Sequence, residues 1–427
     1  MNALLLLAAA EDGHGSEAVP TILLALAFVI VGAKLAGELV ERLGQPAVLG
    51  ELVVGIAMGN LTLFGGPETS ALAASETFTV LAELGAVLLL FHVGLESTPK
   101  EMMAVGGRAT LVAVVGVVTP MLLGFGVGKL LLPDESWMLH AFLGAMLAAT
   151  SVGITARVLR DADALRTGFA RIILGAAVID DVLGLLVLAV IAGIIKAAAT
   201  GVALSAGAVW VILAKAFLFL VGALVIGSLL SPRVFRGALA LRSRGVVQAL
   251  SLGFCFVLSY VALKAGLAPI VGAFAAGLVL EEVHFEGHVK RGEPPLHESL
   301  EPLIGLLVPV FFVRMGMLVD LRSFASPSVL GFAALLTLAA VGGKLACAFA
   351  TPKGVSGLTV GLGMMPRGEV GLIFAAIGSR LVLNDHPVVD AGTYAAAVFM
   401  VVATTMATPP LLLWSISRVP TSDSLRS

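Results

Sequence analysis

Two adjacent aspartates, Asp180 and Asp181, stand in the run AAVIDDVLGLL (176–186), which is otherwise apolar or glycine. A charged carboxylate at the centre of a bilayer helix costs about 2.5–3.5 kcal/mol, so two facing lipid would cost on the order of 5–7 kcal/mol. Both must therefore face protein or a water-filled cavity. Asp180 lies about 12 residues into its apolar span, roughly 18 Å deep at 1.5 Å per residue, which is near the midplane. Successive helix positions diverge by about 100°. One carboxylate can thus meet a neighbouring helix while the other faces a cavity. Like charges this close disfavour double ionisation, so the pair is suited to taking up a proton or a metal cation. A carboxylate that swaps the one for the other is the chemistry of an ion exchanger.

Such a pair calls for a counter-charge. Lys344, in AAVGGKLACAF (339–349), sits within an apolar span with glycines ahead of it that permit close helix approach. Arg314, in PVFFVRMGMLVDL (309–321), lies nearer the end of its span and ranks second. Two other spans carry polar breaks. MLAATSVGITARVL (146–159) brings together Thr150, Ser151, Gly153 and Thr155, and GMMPRGEVGLIFA (363–375) places Pro366, Arg367, Gly368 and Glu369 inside an apolar run. Proline removes a backbone donor and glycine weakens a helix. Paired interruptions at corresponding places in two halves of a chain point to an ion site at a repeat interface.

The elements that must hold these residues are membrane helices. Of 427 residues, 59% are hydrophobic and only 13% charged, too little charge to cover a water-soluble chain of this size. Apolar stretches of about 20 residues, enough to cross about 30 Å of hydrocarbon, recur throughout. The fold class is an all-α polytopic membrane protein. Gly, Pro and charge clusters divide it into about thirteen spans, near 20–38, 46–63, 76–96, 107–131, 138–157, 168–195, 206–230, 245–264, 267–282, 299–319, 328–350, 356–381 and 391–416. With the N-terminus outside, 16 of the 26 Lys and Arg fall on the inner side, 5 on the outer side and 5 within spans. That asymmetry places the C-terminus in the cytoplasm. Taking the seventh span as a linker makes each break the fifth member of a six-span half, and the single linker inverts the second half. The expected organisation is a lead-in (1–19), a first inverted repeat (20–195), a linker helix (206–230), a second repeat (245–416) and a cytoplasmic tail (417–427). The connection 281–301, with His284, His288 and His297, is expected to be a solvated loop. Cys255 and Cys347 read as small buried hydrophobes.

The segments ERLGQPAVLGELVVGIAMGN (41–60), LAELGAVLLLFHVGLE (81–96), ATSVGITARVLRD (149–161), GAAVIDDVLGLLVLAV (175–190), GAFAAGLVL (272–280), PVFFVRMGMLVDL (309–321) and MPRGEVGLIFA (365–375) resemble, in this order, the monovalent cation:proton antiporter-2 family. The resemblance spans essentially the whole chain. It implies a dimerisation domain and a six-helix core in which two broken helices cross, at Thr150–Ser151 and around Arg367. The twin aspartates match the electrogenic sodium/proton branch. There the second, here Asp181, is the principal Na⁺ ligand, and the first, here Asp180, pairs with a lysine on the helix that carries Lys344.

The resulting expectation is a secondary active transporter of the cell inner membrane that exchanges Na⁺ for H⁺ by alternating access, electrogenically, in the service of pH homeostasis. Asp181 would bind the cation with Thr150 and Ser151, and Lys344 would release Asp180 and carry a second proton. Li⁺ and K⁺ stay open as substrates, and a K⁺/H⁺ or electroneutral exchanger of the same fold is the alternative. The expected partners are membrane lipid and a second copy of the chain, with no nucleic acid and no cofactor beyond the transported ions. An intramembrane aspartyl protease needs aspartates converging from separate helices and a GxGD motif, neither of which occurs, so an enzyme is not expected.

Overall fold

The computed structural model describes residues 18–66, 69–96, 106–165, 167–199, 206–240, 245–280, 295–383 and 386–419. The lead-in before Ala18, the loop carrying His284 and His288, the tail beyond Val419 and the side chain of Glu369 lie outside the described residues. In chain order the helices are α1 (Ala18–Arg42), α2 (Ala47–Gly59), the short α3 (Ser70–Ala74), α4 (Glu76–Glu96), α5 (Gly106–Leu131), α6 (Trp137–Ala148), α7 (Val152–Asp161), α8 (Gly168–Ala199) and α9 (Ala206–Ala240). They continue as α10 (Val246–Lys264), α11 (Pro269–Val279), α12 (Leu296–Met317), α13 (Pro327–Leu345), α14 (Cys347–Ala350), α15 (Gly357–Gly363), α16 (Glu369–Arg380) and α17 (Ala391–Ile416). Val382–Leu383 and His386–Pro387 form a small antiparallel pair between α16 and α17.

Among the described residues, nine helices are long and apolar enough to cross a membrane, and α2, α6, α11 and most of α16 are shorter apolar helices. The two spans expected to be interrupted are split, at residues 149–151 between α6 and α7 and at 364–368 between α15 and α16. One boundary differs from expectation. The chain turns helical at Leu296, so His297 lies on α12 rather than in a loop. Pro295 stands at the N-cap and Glu298 in the first turn, where a negative charge meets the positive end of the helix dipole.

Two layers account for the closest helix contacts. In one, α1 packs on α2, α2 on α12, α12 on α4, α4 on α11 and α11 on α10, with α9 alongside α11. We call this the panel. In the other, the core layer, α5 packs against α6, α8 and α13, while α17 covers α13, α15 and α16. Lipid supplies no hydrophobic drive between helices, so each layer relies on close backbone approach. A Cβ added to Gly277 in α11 would collide with the Phe91 carbonyl of α4, and one added to Gly343 in α13 would lie 2.6 Å from the Cα of Pro120 in α5. Gly343→Ala is therefore expected to separate α5 from α13 and cost about 1–3 kcal/mol, the usual range for overpacking. The check is a lowered thermal midpoint of the detergent-solubilised protein, with Gly331→Ala, where an added Cβ meets nothing within 4 Å, as the neutral comparison.

Candidate functional site

The core layer encloses the charges. Asp180 lies on α8 and Lys344 in the last turn of α13, and α5 packs against both helices. The Lys344 Nζ donates to Asp180 Oδ1 at 2.9 Å, and both side chains are completely buried. An ion pair shut away from water is held by geometry and by its partner, because losing either member strands a charge. Gly116 of α5 forms part of the wall. A Cβ there would stand 3.1 Å from Cys347 Sγ, 3.4 Å from Lys344 Nζ and 3.7 Å from Asp180 Oδ1. Pro120, four residues on, has no N–H, so the carbonyl of Gly116 lacks its helical partner.

Asp181 is one position further round α8 and is 7% exposed, against 0% for Asp180. Thr150 and Ser151, at the break between α6 and α7, are buried as well. Thr150 Oγ1 and Asp180 Oδ2 make no hydrogen bond within the protein despite full burial. Both are hard oxygen atoms of the kind that suits a small alkali cation.

The two breaks satisfy each other. Ser151 N donates to the Pro366 carbonyl at 2.9 Å, and Thr155 Oγ1 to the Gly363 carbonyl at 2.6 Å. Gly368 leaves the space that Ser151 Oγ occupies, since a Cβ there would come within 2.6 Å of it. Irregular backbone at membrane depth is tolerated where it is buried and bonded in this way. Arg367, also fully buried, donates from Nη1 to the Met365 and Met364 carbonyls at 3.0 and 3.4 Å. Its Nη2 donates to the Ala340 carbonyl of α13 at 3.1 Å, one turn before Lys344. The guanidinium thus sits at the negative end of α15 and ties it to the lysine-bearing helix. The Arg367 carbonyl in turn accepts from Thr405 Oγ1 of α17 at 2.5 Å.

Of the two candidate counter-charges, the structure brings Lys344 to Asp180. Arg314 is buried elsewhere in α12, donates to the Ala73 carbonyl at 3.2 Å, and has Arg380 and Glu83 as its charged neighbours. Pro366 and Arg367 lie at the second break. Sequence reasoning missed Gly116, Thr405 and the capping role of Arg367. The spacing of Pro120 from Gly116 is a signal that could have found the first. Glu51, a buried carboxylate within α2, was missed also.

Two helix interruptions that hydrogen-bond each other beside a buried ion pair are the arrangement expected at the ion site of a secondary transporter. The family model described as "Sodium/hydrogen exchanger, transmembrane" matches residues 22–414, and the chain belongs to that family. It is 40% identical to the high-affinity Na⁺/H⁺ antiporter NhaS3 of Synechocystis, over 92% of this chain and 89% of the relative. With the Na⁺/H⁺-K⁺ antiporter GerN of Bacillus cereus it shares 32% identity over 91% and 95% of the two chains. The fold matches the sodium proton antiporter MjNhaP1 of Methanocaldococcus jannaschii with a TM-score of 0.73 at 19% identity, covering 92% of this chain and 97% of that one.

Proposed function

We propose that this sodium/hydrogen exchanger works electrogenically through a divided aspartate pair. Asp181 takes Na⁺ or a proton in competition, with Thr150, Ser151 and backbone carbonyls freed at the break completing the oxygen set for the dehydrated ion. Asp180 holds Lys344 in one state and releases it in another, and the released lysine carries a second proton. Two protons against one Na⁺ move one net charge per cycle, which couples exchange to the membrane potential by about 2.3 kcal/mol per 100 mV. A negative interior then drives Na⁺ outward. The observation that carries this reading is the fully enclosed Asp180–Lys344 pair next to a second carboxylate.

The same proposal places the protein in the cell inner membrane as a homodimer of the twin-aspartate branch, with thirteen crossings, the N-terminus outside and the C-terminus in the cytoplasm. Two inverted six-helix repeats flank α9. Pairing of α2 with α12 and of α4 with α11 supports this, since an inverted repeat relates the second and third spans of one half to the ninth and tenth of the chain. A K⁺-carrying reading has one observation in its favour, the K⁺ in the name of the GerN relative.

Proteoliposomes with an internal pH dye test both. Na⁺ is expected to drive proton movement, more strongly than K⁺, and a potential set across the membrane is expected to change the rate. Flux indifferent to the potential would overturn electrogenic exchange, and flux driven equally well by K⁺ would overturn Na⁺ preference.

A further inference from the structure

Among the described residues, two ion pairs join the panel to the core layer. Arg157 of α7 meets Glu41 of α1, Nη1 to Oε1, at 2.9 Å. Arg380, the last residue of α16, meets Glu83 of α4 directly. Following the chain across the membrane puts them on opposite faces. Glu41 stands at the end of α1, and Arg157 on the half-helix that returns to that same face after the first break. Glu83 lies in the first half of α4, which starts from the other face, where α16 also ends. In both pairs the arginine rides on the half-helix that follows a break, and the glutamate on a panel helix. The two arginines therefore sit on corresponding half-helices, while their glutamates come from different panel helices, the first span and the third.

Their surroundings suit a contact that is made and broken. All four side chains are partly exposed, at 44% and 42% for Arg157 and Glu41 and 40% and 52% for Arg380 and Glu83. Half-exposed ion pairs hold weakly and exchange readily with water. Apart from α8 on α9, the closest backbone contacts lie within each layer, and between the layers it is mainly apolar side chains that meet. Beside Glu83 and Arg380 the seam is not packed shut. A cavity of about 390 Å³ there is walled by Val80 and Val87 of α4, Tyr260 of α10, Phe311 of α12 and Ile373 of α16. On this face one neutral contact also bridges the layers, from Tyr394 Oη of α17 to the Met315 carbonyl of α12 at 3.0 Å.

We propose that Glu41–Arg157 and Glu83–Arg380 are paired ionic latches between the layers, and that each must open for the ion site to reach water on its own face. This rests on the exchange reading above. The site's carboxylates are carried by the core layer, so access alternates only if that layer shifts against the panel, and these contacts resist the shift at either end.

The test replaces each pair with cysteines, Glu41→Cys with Arg157→Cys and Glu83→Cys with Arg380→Cys. A short bis-methanethiosulfonate then spans each pair, because the reach of a Glu–Arg contact exceeds that of a disulfide. Cross-linking either pair is expected to stop Na⁺-driven proton flux in proteoliposomes, and a thiol reductant to restore it. The charge swap Glu83→Arg with Arg380→Glu, which keeps the contact without cysteines, is expected to run within twofold of the wild-type rate, while Glu83→Gln alone departs from it by several-fold. Undiminished flux from the cross-linked protein, or a swap that departs from wild type as far as the single variant does, would overturn the latches. A wild-type protein that moves no protons on Na⁺ addition would instead overturn the exchange reading itself.

Discussion

Asp181→Asn is expected to reduce Na⁺-driven proton movement to the level of protein-free liposomes while leaving the protein folded. Asparagine keeps the size and the hydrogen-bonding capacity of aspartate but neither ionises nor binds a proton at any accessible pH. Competition between H⁺ and Na⁺ at one carboxylate, the core of the proposed exchange, then has no seat. The fold should tolerate the change to within about 1 kcal/mol, because it removes a charge next to a like charge rather than a partner from the Lys344 pair. Internal pH after addition of Na⁺, with the thermal midpoint measured in parallel, separates a lost site from a lost fold. A variant that still alkalinises the lumen on Na⁺ addition would remove Asp181 from the role of ligand. Asp180→Asn, by contrast, strands the lysine and is expected to lower the midpoint.

Lys344→Gln carries the largest expected stability effect. It leaves a fully buried aspartate without its cation, and breaking a buried pair from one side typically costs about 3–5 kcal/mol. Adding Asp180→Asn should recover most of that loss, because the double variant leaves no unpaired charge. The interaction energy from the double-mutant cycle then isolates the contact. In transport the single variant is expected to lose the net charge moved per cycle, since the second proton has lost its carrier. Solid-supported-membrane currents alongside dye-reported pH provide the measurement. A current unchanged relative to proton flux would mean that Lys344 only braces Asp180.

Much of this architecture is visible in the sequence because a bilayer is a strict solvent. Length and apolar content mark helices such as α8 and α17, and polar residues within apolar runs mark the breaks at Thr150–Ser151 and Pro366–Gly368. What hydropathy does not encode is which helix touches which. Span position ranked Lys344 above Arg314 as the partner for Asp180, and family resemblance strengthened that preference, but neither shows the contact itself. Arg367 looked like part of an interruption, whereas its side chain caps one helix and braces another, a role that depends on where the Ala340 carbonyl lies in space. The inter-layer pairs were the least visible. Glu41, Arg157 and Arg380 lie near span ends, where charge is ordinary, and Glu83 lies about two turns into its span, so nothing marks the four as partners until the two layers are seen together.

The enclosed pair also has a consequence for how the chain is made. Asp180 and Lys344 are separated by 164 residues, and Thr155 from the Gly363 carbonyl by 208. At about 5–20 residues per second, roughly ten to thirty seconds pass between synthesis of the aspartate and synthesis of its lysine. Through that interval α8 is a nascent segment with two carboxylates and no counter-ion, next to a break whose bonding partners have yet to be translated. The ribosome-bound first half is therefore a poor lodger in lipid, with its aspartates protonated or its helix kept beside the translocon until the second half arrives. A chain truncated before Lys344 should be retained there and handed to membrane quality control, and supplying the missing half as a separate polypeptide should release it.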